Sequence, residues 1–207
     1  MMKRATLFAV VCCGFASFAF AEQLPPLDSN VMLRGYCSAG SRADPQALGG
    51  YGTSDNHPRR LKDTGIGQNG ALRLVALPTD IAPFGQSHAG FRVLLVNRTP
   101  SEVALPASDS RVSIIQEALD AKGRWRAIEY LPESWCGNSD HRVFLPPNHY
   151  WEFVAPQYVG TRKTKLRFVL LGERPIYSTE FEGSINPQQL TTKQGHTPTS
   201  IMDPYTE

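Results

Sequence analysis

The sequence has no excess of either charge once its first 21 residues are set aside. The whole chain carries 21 basic and 19 acidic residues. Two of the basic residues, Lys3 and Arg4, and none of the acidic ones fall in residues 1–21, which leaves 19 of each sign. Nucleic-acid binders rely on a basic excess, because neutralised phosphates supply most of their affinity. We therefore expect no nucleic acid among the partners.

The chain has a single long apolar run, and this run is short for a membrane span. It extends without a charge from Ala5 to Phe20, after two basic residues. Crossing a bilayer takes about 20 apolar residues, whereas a shorter run that closes on Ala19-Phe20-Ala21 has the form of a cleaved signal peptide. We predict a signal peptide over residues 1–21, no stable membrane span, and a periplasmic or secreted bacterial protein that begins at Glu22.

Cysteine is scarce, with four in the whole chain. Cys12 and Cys13 lie in the predicted signal peptide, so Cys37 and Cys136 remain after export. Two thiols in an oxidising compartment most simply pair. Such a bridge would close a loop of about 100 residues and would stabilise the fold by roughly 4.7 kcal/mol in the chain-entropy treatment. We predict a disulfide between Cys37 and Cys136, the alternative being two unrelated thiols.

Three parts of the mature chain differ in pattern. Residues 22–69 are rich in Gly, Ser, Asp, Asn and Pro, which predicts an irregular segment that contributes few groups to a core. Residues 187–207 are polar and rich in threonine, and they predict a disordered tail. Residues 70–186 consist of short apolar runs between turn residues, which is typical of a single antiparallel β-sandwich or barrel.

Alternation defines the strands of this β-domain. In Lys165–Leu171 the apolar side chains of Leu166, Phe168 and Leu170 share one face, and Tyr177, Thr179 and Phe181 repeat the pattern. Helical spacing over Ser113–Lys122 is a weaker alternative to a strand there, because the β-branched residues favour a strand. The predicted strands are Ala71–Leu77, Gly90–Asn97, Arg111–Leu119, Arg124–Tyr130, Arg142–Leu145, His149–Val154, Lys165–Leu171 and Ile176–Phe181.

Two turns divide these strands. Gly123, after Asp120-Ala121-Lys122, stands where a three-residue hairpin requires a positive φ. Asn148, after Pro146-Pro147, tolerates the same left-handed region. If this second turn closes a hairpin, Leu145 faces His149.

These features resemble those of bacterial immunoglobulin-like domains. The run Phe91–Asn97, the turn Asp120–Trp125 and the segment Leu145–Asn148 before an aromatic strand follow the order of the intracellular proteinase inhibitor family. The similarity covers about residues 85–183 and implies an immunoglobulin-like sandwich. Protease inhibition is implied by this resemblance alone, since no reactive-loop residue matches.

No catalytic or metal-binding motif stands out. Trp135-Cys136-Gly137 resembles the thioredoxin motif but lacks the second cysteine and a following helix. Cys136 and His141 could form a nucleophile–base pair if they lie about 3 Å apart. In the hairpin register, His141 and His149 would lie roughly 13 Å apart, too far to share a zinc ion. We predict no cofactor and no metal.

Aromatic residues concentrate in the middle of the chain, and aromatic side chains on strands belong more often to a core than to a surface. Exposed ones can form a binding surface for carbohydrate or peptide. The expected function is an exported, non-catalytic module that binds or scaffolds an envelope protein or carbohydrate, with a hydrolase using Cys136 and His141 as the alternative. The candidate surface residues are Trp125, Trp135, Tyr150 and Trp151.

Overall fold

The protein is mainly β. The computed structural model describes residues 24–62, 71–131 and 137–190. These contain no α-helix, two short 3₁₀ helices at Gly137–Ser139 and Pro187–Leu190, and the following strands: β1 (Leu27–Asp28), β2 (Leu33–Arg34), β3 (Arg59–Arg60), β4 (Leu72–Phe84), β5 (His88–Asn97), β6 (Val103–Ser108), β7 (Arg111–Val112), β8 (Ile114–Leu119), β9 (Trp125–Ala127), β10 (Glu129–Tyr130), β11 (Asp140–Leu145), β12 (His149–Pro156), β13 (Tyr158–Val159), β14 (Arg162–Leu170), β15 (Ile176–Tyr177) and β16 (Phe181–Ile185).

Three antiparallel sheets account for most of these strands. The first has four strands in the order β3-β12-β5-β4. The second has the order β11-β6-β7, and the third runs β9-β8-β14, with β15 and β16 both pairing with β14. Only Ser113 separates β7 from β8, so the second and third sheets follow each other along one stretch of chain.

The largest hydrophobic cluster of the described residues, here called the core, contains side chains from all three of these sheets. β5 is buried along most of its length because it lies between β12 and β4. The inward side of β14 carries Leu166, Phe168 and Leu170, as its alternation predicts. The core includes Phe91, Val93, Leu95, Trp151, Phe153, Val112, Ile114, Val143, Leu145, Phe168 and Leu170.

The N-terminal segment contributes to this core, contrary to the expectation from its composition. Cys37 and Ala39 are buried in it, and the indole N–H of Trp151 donates to the Gly40 carbonyl at 2.9 Å. The segment also adds two short parallel strand pairs, β1 with β13 and β2 with β10. Small residues supply little apolar area each, but their size lets the backbone approach the sheet closely.

The hairpin at Gly123 is confirmed, since β8 and β9 are antiparallel neighbours and Gly123 has a φ of +72°. Arg111–Leu119 forms β7 and β8, so the helical alternative over Ser113–Lys122 is wrong. The alternation expected around Tyr177 is also wrong. Tyr177 is 47% exposed, whereas Ser178 is buried and donates to the Thr179 carbonyl.

The turn at Pro146-Pro147-Asn148 does not close a hairpin. Asn148 has a positive φ of +57°, as its residue type suggests. However, Leu145 lies opposite Val103 of β6, and His149 lies opposite Asn97 of β5. The turn therefore passes the chain from one sheet to another. Sequence patterns did not predict β6, because Pro106 and the alanines of this strand weaken the pattern typical of a strand.

Candidate functional site

The structure separates the four aromatic residues expected on a binding surface. Trp151 is 0% exposed and belongs to the core, so it cannot contribute to a surface. Trp125 lies on β9 beneath the Arg167 guanidinium, 4.2 Å from the ring centre. Tyr150 is half-buried on β12 of the four-stranded sheet. Trp135 lies outside the described residues.

Cys37 is buried, and it has no disulfide partner among the described residues. Burial, and next the nearby Glu129 carboxyl, raise the pKa of this thiol well above its usual value. Its predicted partner, Cys136, lies outside the described residues. The disulfide between them therefore stays a prediction.

His141 contacts residues of the neighbouring loops. It does not form an activated nucleophile–base pair with Ser110. Its Nδ1 lies 3.0 Å from the Ser139 carbonyl oxygen, so Nδ1 carries the proton. Its Nε2 lies 3.4 Å from Ser110 Oγ, but that hydroxyl donates to the Gly52 carbonyl at 2.8 Å. The Tyr51 ring stacks on the imidazole at 3.8 Å. The pairing of His141 with Cys136 falls outside the described residues.

A cleft opens on the outer face of the four-stranded sheet, the face opposite the core. Side chains alternate along a strand, so Trp151 and Phe153 point into the core while Tyr150 and Glu152 point outward. The cleft has a volume of about 460 Å³, within the range of ligand sites of roughly 300–1,000 Å³. We call it the basic cleft.

Two elements form the walls of the basic cleft. On one side, β3 and the next two residues lie along β12, with the Leu61 N–H donating to the Asn148 carbonyl at 2.9 Å. On the other side, β4 bulges between Leu77 and Ile81, where its register with β5 shifts. The bulge brings Asp80 to the rim of the cleft.

Ion pairs connect four charged side chains of the cleft into a network. Arg59 pairs with Glu152 at 3.1 Å, and Glu152 pairs with Arg92 at 3.2 Å. Arg92 also pairs with Asp80. Side chains held in this way are fixed in position before a ligand arrives, which lowers the entropy cost of binding.

Two further cations of the cleft are not in this network. Arg60 and Lys62 are exposed, and neither has an ion-pair partner within the described part of the chain. The described residues of the lining thus include four cations, Arg59, Arg60, Lys62 and Arg92, against two carboxylates, Asp80 and Glu152, a net charge of +2. A cleft with a net positive charge concentrates anions from solution.

The floor between these charges is partly apolar. Leu61 and Leu94 are buried and pack with the half-buried Leu77 and Tyr150. The cleft therefore offers cations at the rim and an apolar and aromatic surface below. This arrangement suits an anion with a flat or apolar body. Apart from Tyr150, sequence patterns did not identify the site, although Arg59-Arg60-Leu61-Lys62 is a visible basic cluster.

Within the described ranges, no group of three or more His, Cys, Asp or Glu residues could hold a metal ion. In the same ranges no helix has the length and apolar character needed to cross a membrane. Comparison with protein-family models, with curated proteins and with solved structures found no match.

Proposed function

We propose that the protein is an exported, non-catalytic binding module of the bacterial envelope, built on an immunoglobulin-like sandwich, and that an acidic carbohydrate occupies the basic cleft. The proposal of a sandwich rests on the antiparallel sheets, which share one hydrophobic core. The form of the first 21 residues supports export. Arg60 and Lys62, which have no ion-pair partner among the described residues and lie beside the apolar floor, are the observation that carries the ligand assignment.

An acidic carbohydrate fits the cleft through two of its features. Guanidinium groups bind carboxylates through paired hydrogen bonds, and Arg60 is a guanidinium of the cleft that lies outside the ion-pair network of Arg59 and Arg92. A tyrosine ring offers a rigid face on which a sugar ring can lie, and Tyr150 lines the floor. The site is concave, which favours a chain that enters it over a planar lipid surface.

Charge reversal in the cleft tests the proposal. The probe is polygalacturonate, and its affinity for the protein is measured by titration calorimetry at low and at high salt. The double variant Arg60→Glu/Lys62→Glu should lose about tenfold or more in affinity, because two attractive charges become repulsive. Raising the salt concentration should weaken binding to the unchanged protein.

The matched control is Lys122→Glu/Arg174→Glu, which changes the net charge equally at two exposed positions outside the cleft. It should keep most of the affinity. Equal losses in the two double variants would contradict the cleft as the site. Binding of polyglutamate but not of polygalacturonate would replace the carbohydrate by an acidic peptide, and binding of neither probe would refute an anionic ligand.

A further inference from the structure

Glu129, on β10, is a carboxyl group in the protein interior with 1% of its surface exposed. Its Oε1 accepts hydrogen bonds from the Tyr36 hydroxyl at 2.9 Å and the Tyr158 hydroxyl at 3.1 Å. Its Oε2 accepts one from the Gln116 backbone N–H at 2.9 Å. No cation forms an ion pair with it in the part of the chain that the structure describes. A charge buried without a counter-charge is costly.

The partners of Glu129 belong to the two places where the N-terminal segment is attached. Leu33 of β2 lies opposite Glu129 itself, and Leu27 of β1 lies opposite Tyr158. Tyr36 follows β2 and is part of the segment. One carboxyl group therefore contacts both attachments. Each attachment is a pair of two-residue strands, which has few hydrogen bonds of its own.

We propose that Glu129 is a proton-controlled latch: when protonated it holds residues 27–36 against β10 and β13, and when it loses its proton this segment opens. The charged carboxylate regains water by opening, at the expense of the two short strand pairs, of the packing of Leu27 and Leu33, and of the hydrogen bonds from Asn186 to Asp28 and Ser29. The chain beyond the segment stays attached, because the Val112 N–H donates to the Cys37 carbonyl at 2.9 Å.

The groups that face Glu129 do not compete with it for a proton near neutral pH. They are Tyr36 and Cys37 from the N-terminal segment, Tyr158 from β13, and the neutral Gln116 N–H from β8. Burial first, and then Glu129, raise the pKa of Tyr36, Cys37 and Tyr158 well above their usual values. Glu129 is therefore the member of this group that titrates near pH 7.

The direction of the pH dependence follows from the shift in the pKa of the Glu129 carboxyl group. Burial raises the pKa of Glu129 from 4.5 to about 7, although its three hydrogen-bond donors oppose the shift. The closed form therefore holds the proton more tightly than the open form, and opening is favoured as the pH rises from 4.5 through 7. The opening equilibrium constant should therefore increase by about tenfold or more between pH 5 and pH 8.

Hydrogen exchange with mass spectrometry tests the latch. Peptides covering residues 27–36 are followed at pH 5 and pH 8, with rates corrected for intrinsic exchange. The protection factor of these peptides should fall by about tenfold or more at pH 8, while peptides of β5 and β12 keep theirs. In Glu129→Gln the difference between the two pH values should disappear, since the amide cannot ionise.

Tyr158→Phe serves as a second variant if Glu129→Gln fails to fold. It removes one donor to the carboxylate, which raises the pKa of Glu129 in the closed form further, so the fall in protection between pH 5 and pH 8 should be larger than in the unchanged protein. Glu182→Gln, an exposed carboxylate on β16, is the matched control and should leave the pH dependence unchanged. Equal protection of residues 27–36 at both pH values, or an unchanged pH dependence in Glu129→Gln, would overturn the proposal.

Discussion

At the scale of single residues, the partners of a buried carboxylate decide how it responds to pH. Asp44 has a side chain with only 3% exposure, yet it is bound by Arg142 through two hydrogen bonds at 2.8 and 3.1 Å. Backbone N–H groups of Gln46 and Arg142 donate to the same carboxylate. Hydrogen bonding by Arg142 therefore lowers the pKa of Asp44 well below its usual value. No such cation pairs with Glu129 among the described residues, and burial moves its pKa in the opposite direction.

Replacing Asp44 by Asn should destabilise the protein at pH 7, since the ion pair with Arg142 is lost. Because the pKa of Asp44 is lowered in the folded state, its contribution is present above the usual value of 3.8 and is lost as the pH falls below it. The difference in Tm between Asp44→Asn and the unchanged protein should therefore shrink in acid. Glu173→Gln, on an exposed carboxylate, is the control. A difference in Tm that is the same at pH 7 and pH 3 would contradict this account.

Residue patterns predicted the burial of the core but not the site. Leu166, Phe168 and Leu170 were identified as inward by alternation alone. The basic cleft was not identified in this way, because Arg59 and Arg92 lie on strands that are joined only through β12. Which residues become neighbours across strands depends on register, and a register shift such as the β4 bulge is not visible in the sequence.

At the scale of elements, the sequence predicts a turn correctly where the residues of the turn itself determine its conformation. The β8–β9 hairpin is specified within five residues. Asp120 accepts hydrogen bonds from the N–H groups of Lys122 and Arg124 at 2.8 and 2.9 Å, and Gly123 supplies the positive φ. Such turns depend little on the rest of the fold.

Gly123→Val should destabilise the protein by about 1 kcal/mol or more, because a β-branched residue resists a positive φ. A Cβ at this position would meet no atom within 4 Å, so the cost comes from the backbone and not from crowding. The matched control is Gly172→Val, which is equally open but has no left-handed φ. Chemical denaturation measures both. Equal stability of the two variants would show that Gly123 does not need its positive φ.

The turn at Asn148 shows where local chemistry is insufficient. Its residue types predicted the backbone conformation correctly, but the strands on either side pair with different sheets. The buried Asn97 side chain helps to fix this crossing, since its Nδ2 donates to the Leu145 carbonyl at 2.9 Å. That bond joins residues 48 apart in the sequence, a separation beyond the reach of pattern analysis.

The predicted Cys37–Cys136 bridge would link the N-terminal segment to a residue that precedes β11 in the sequence. We expect no reactive thiol when the exported protein is denatured without reductant and treated with a thiol label. Cys37 is buried, so labelling must be done on the unfolded chain. Two labelled thiols per mature chain would refute the bridge.

At the scale of the whole molecule, export was inferred from the first 21 residues, which lie outside the described part of the structure. The exported protein should begin at Glu22, because the small residues Ala19 and Ala21 stand three positions and one position before the expected cleavage site, as a signal peptidase requires. N-terminal sequencing of protein from the periplasm or medium checks this. An intact Met1 on a membrane-bound chain would contradict export with cleavage.

The fold class followed from composition and alternation, because the period of a strand is a local property. The location of the proposed ligand site could not be predicted in this way. The net charge expected for the mature chain is zero, and the excess of two positive charges among the described residues of the cleft appears only after folding. Total charge predicts that nucleic acid is not a partner. It could not reveal a local surface.

The most direct test of the basic cleft is to map the bound ligand by NMR. Titrating short galacturonate oligomers into isotope-labelled protein should shift the amide signals of residues 59–62 and of Leu77, Arg92, Tyr150 and Glu152. Signals of the β8–β9 hairpin should stay unchanged, since that hairpin lies in a different sheet. Shifts confined to another region, such as the loop contact around Ser110 and His141, or no shifts at all, would contradict the cleft as the binding site.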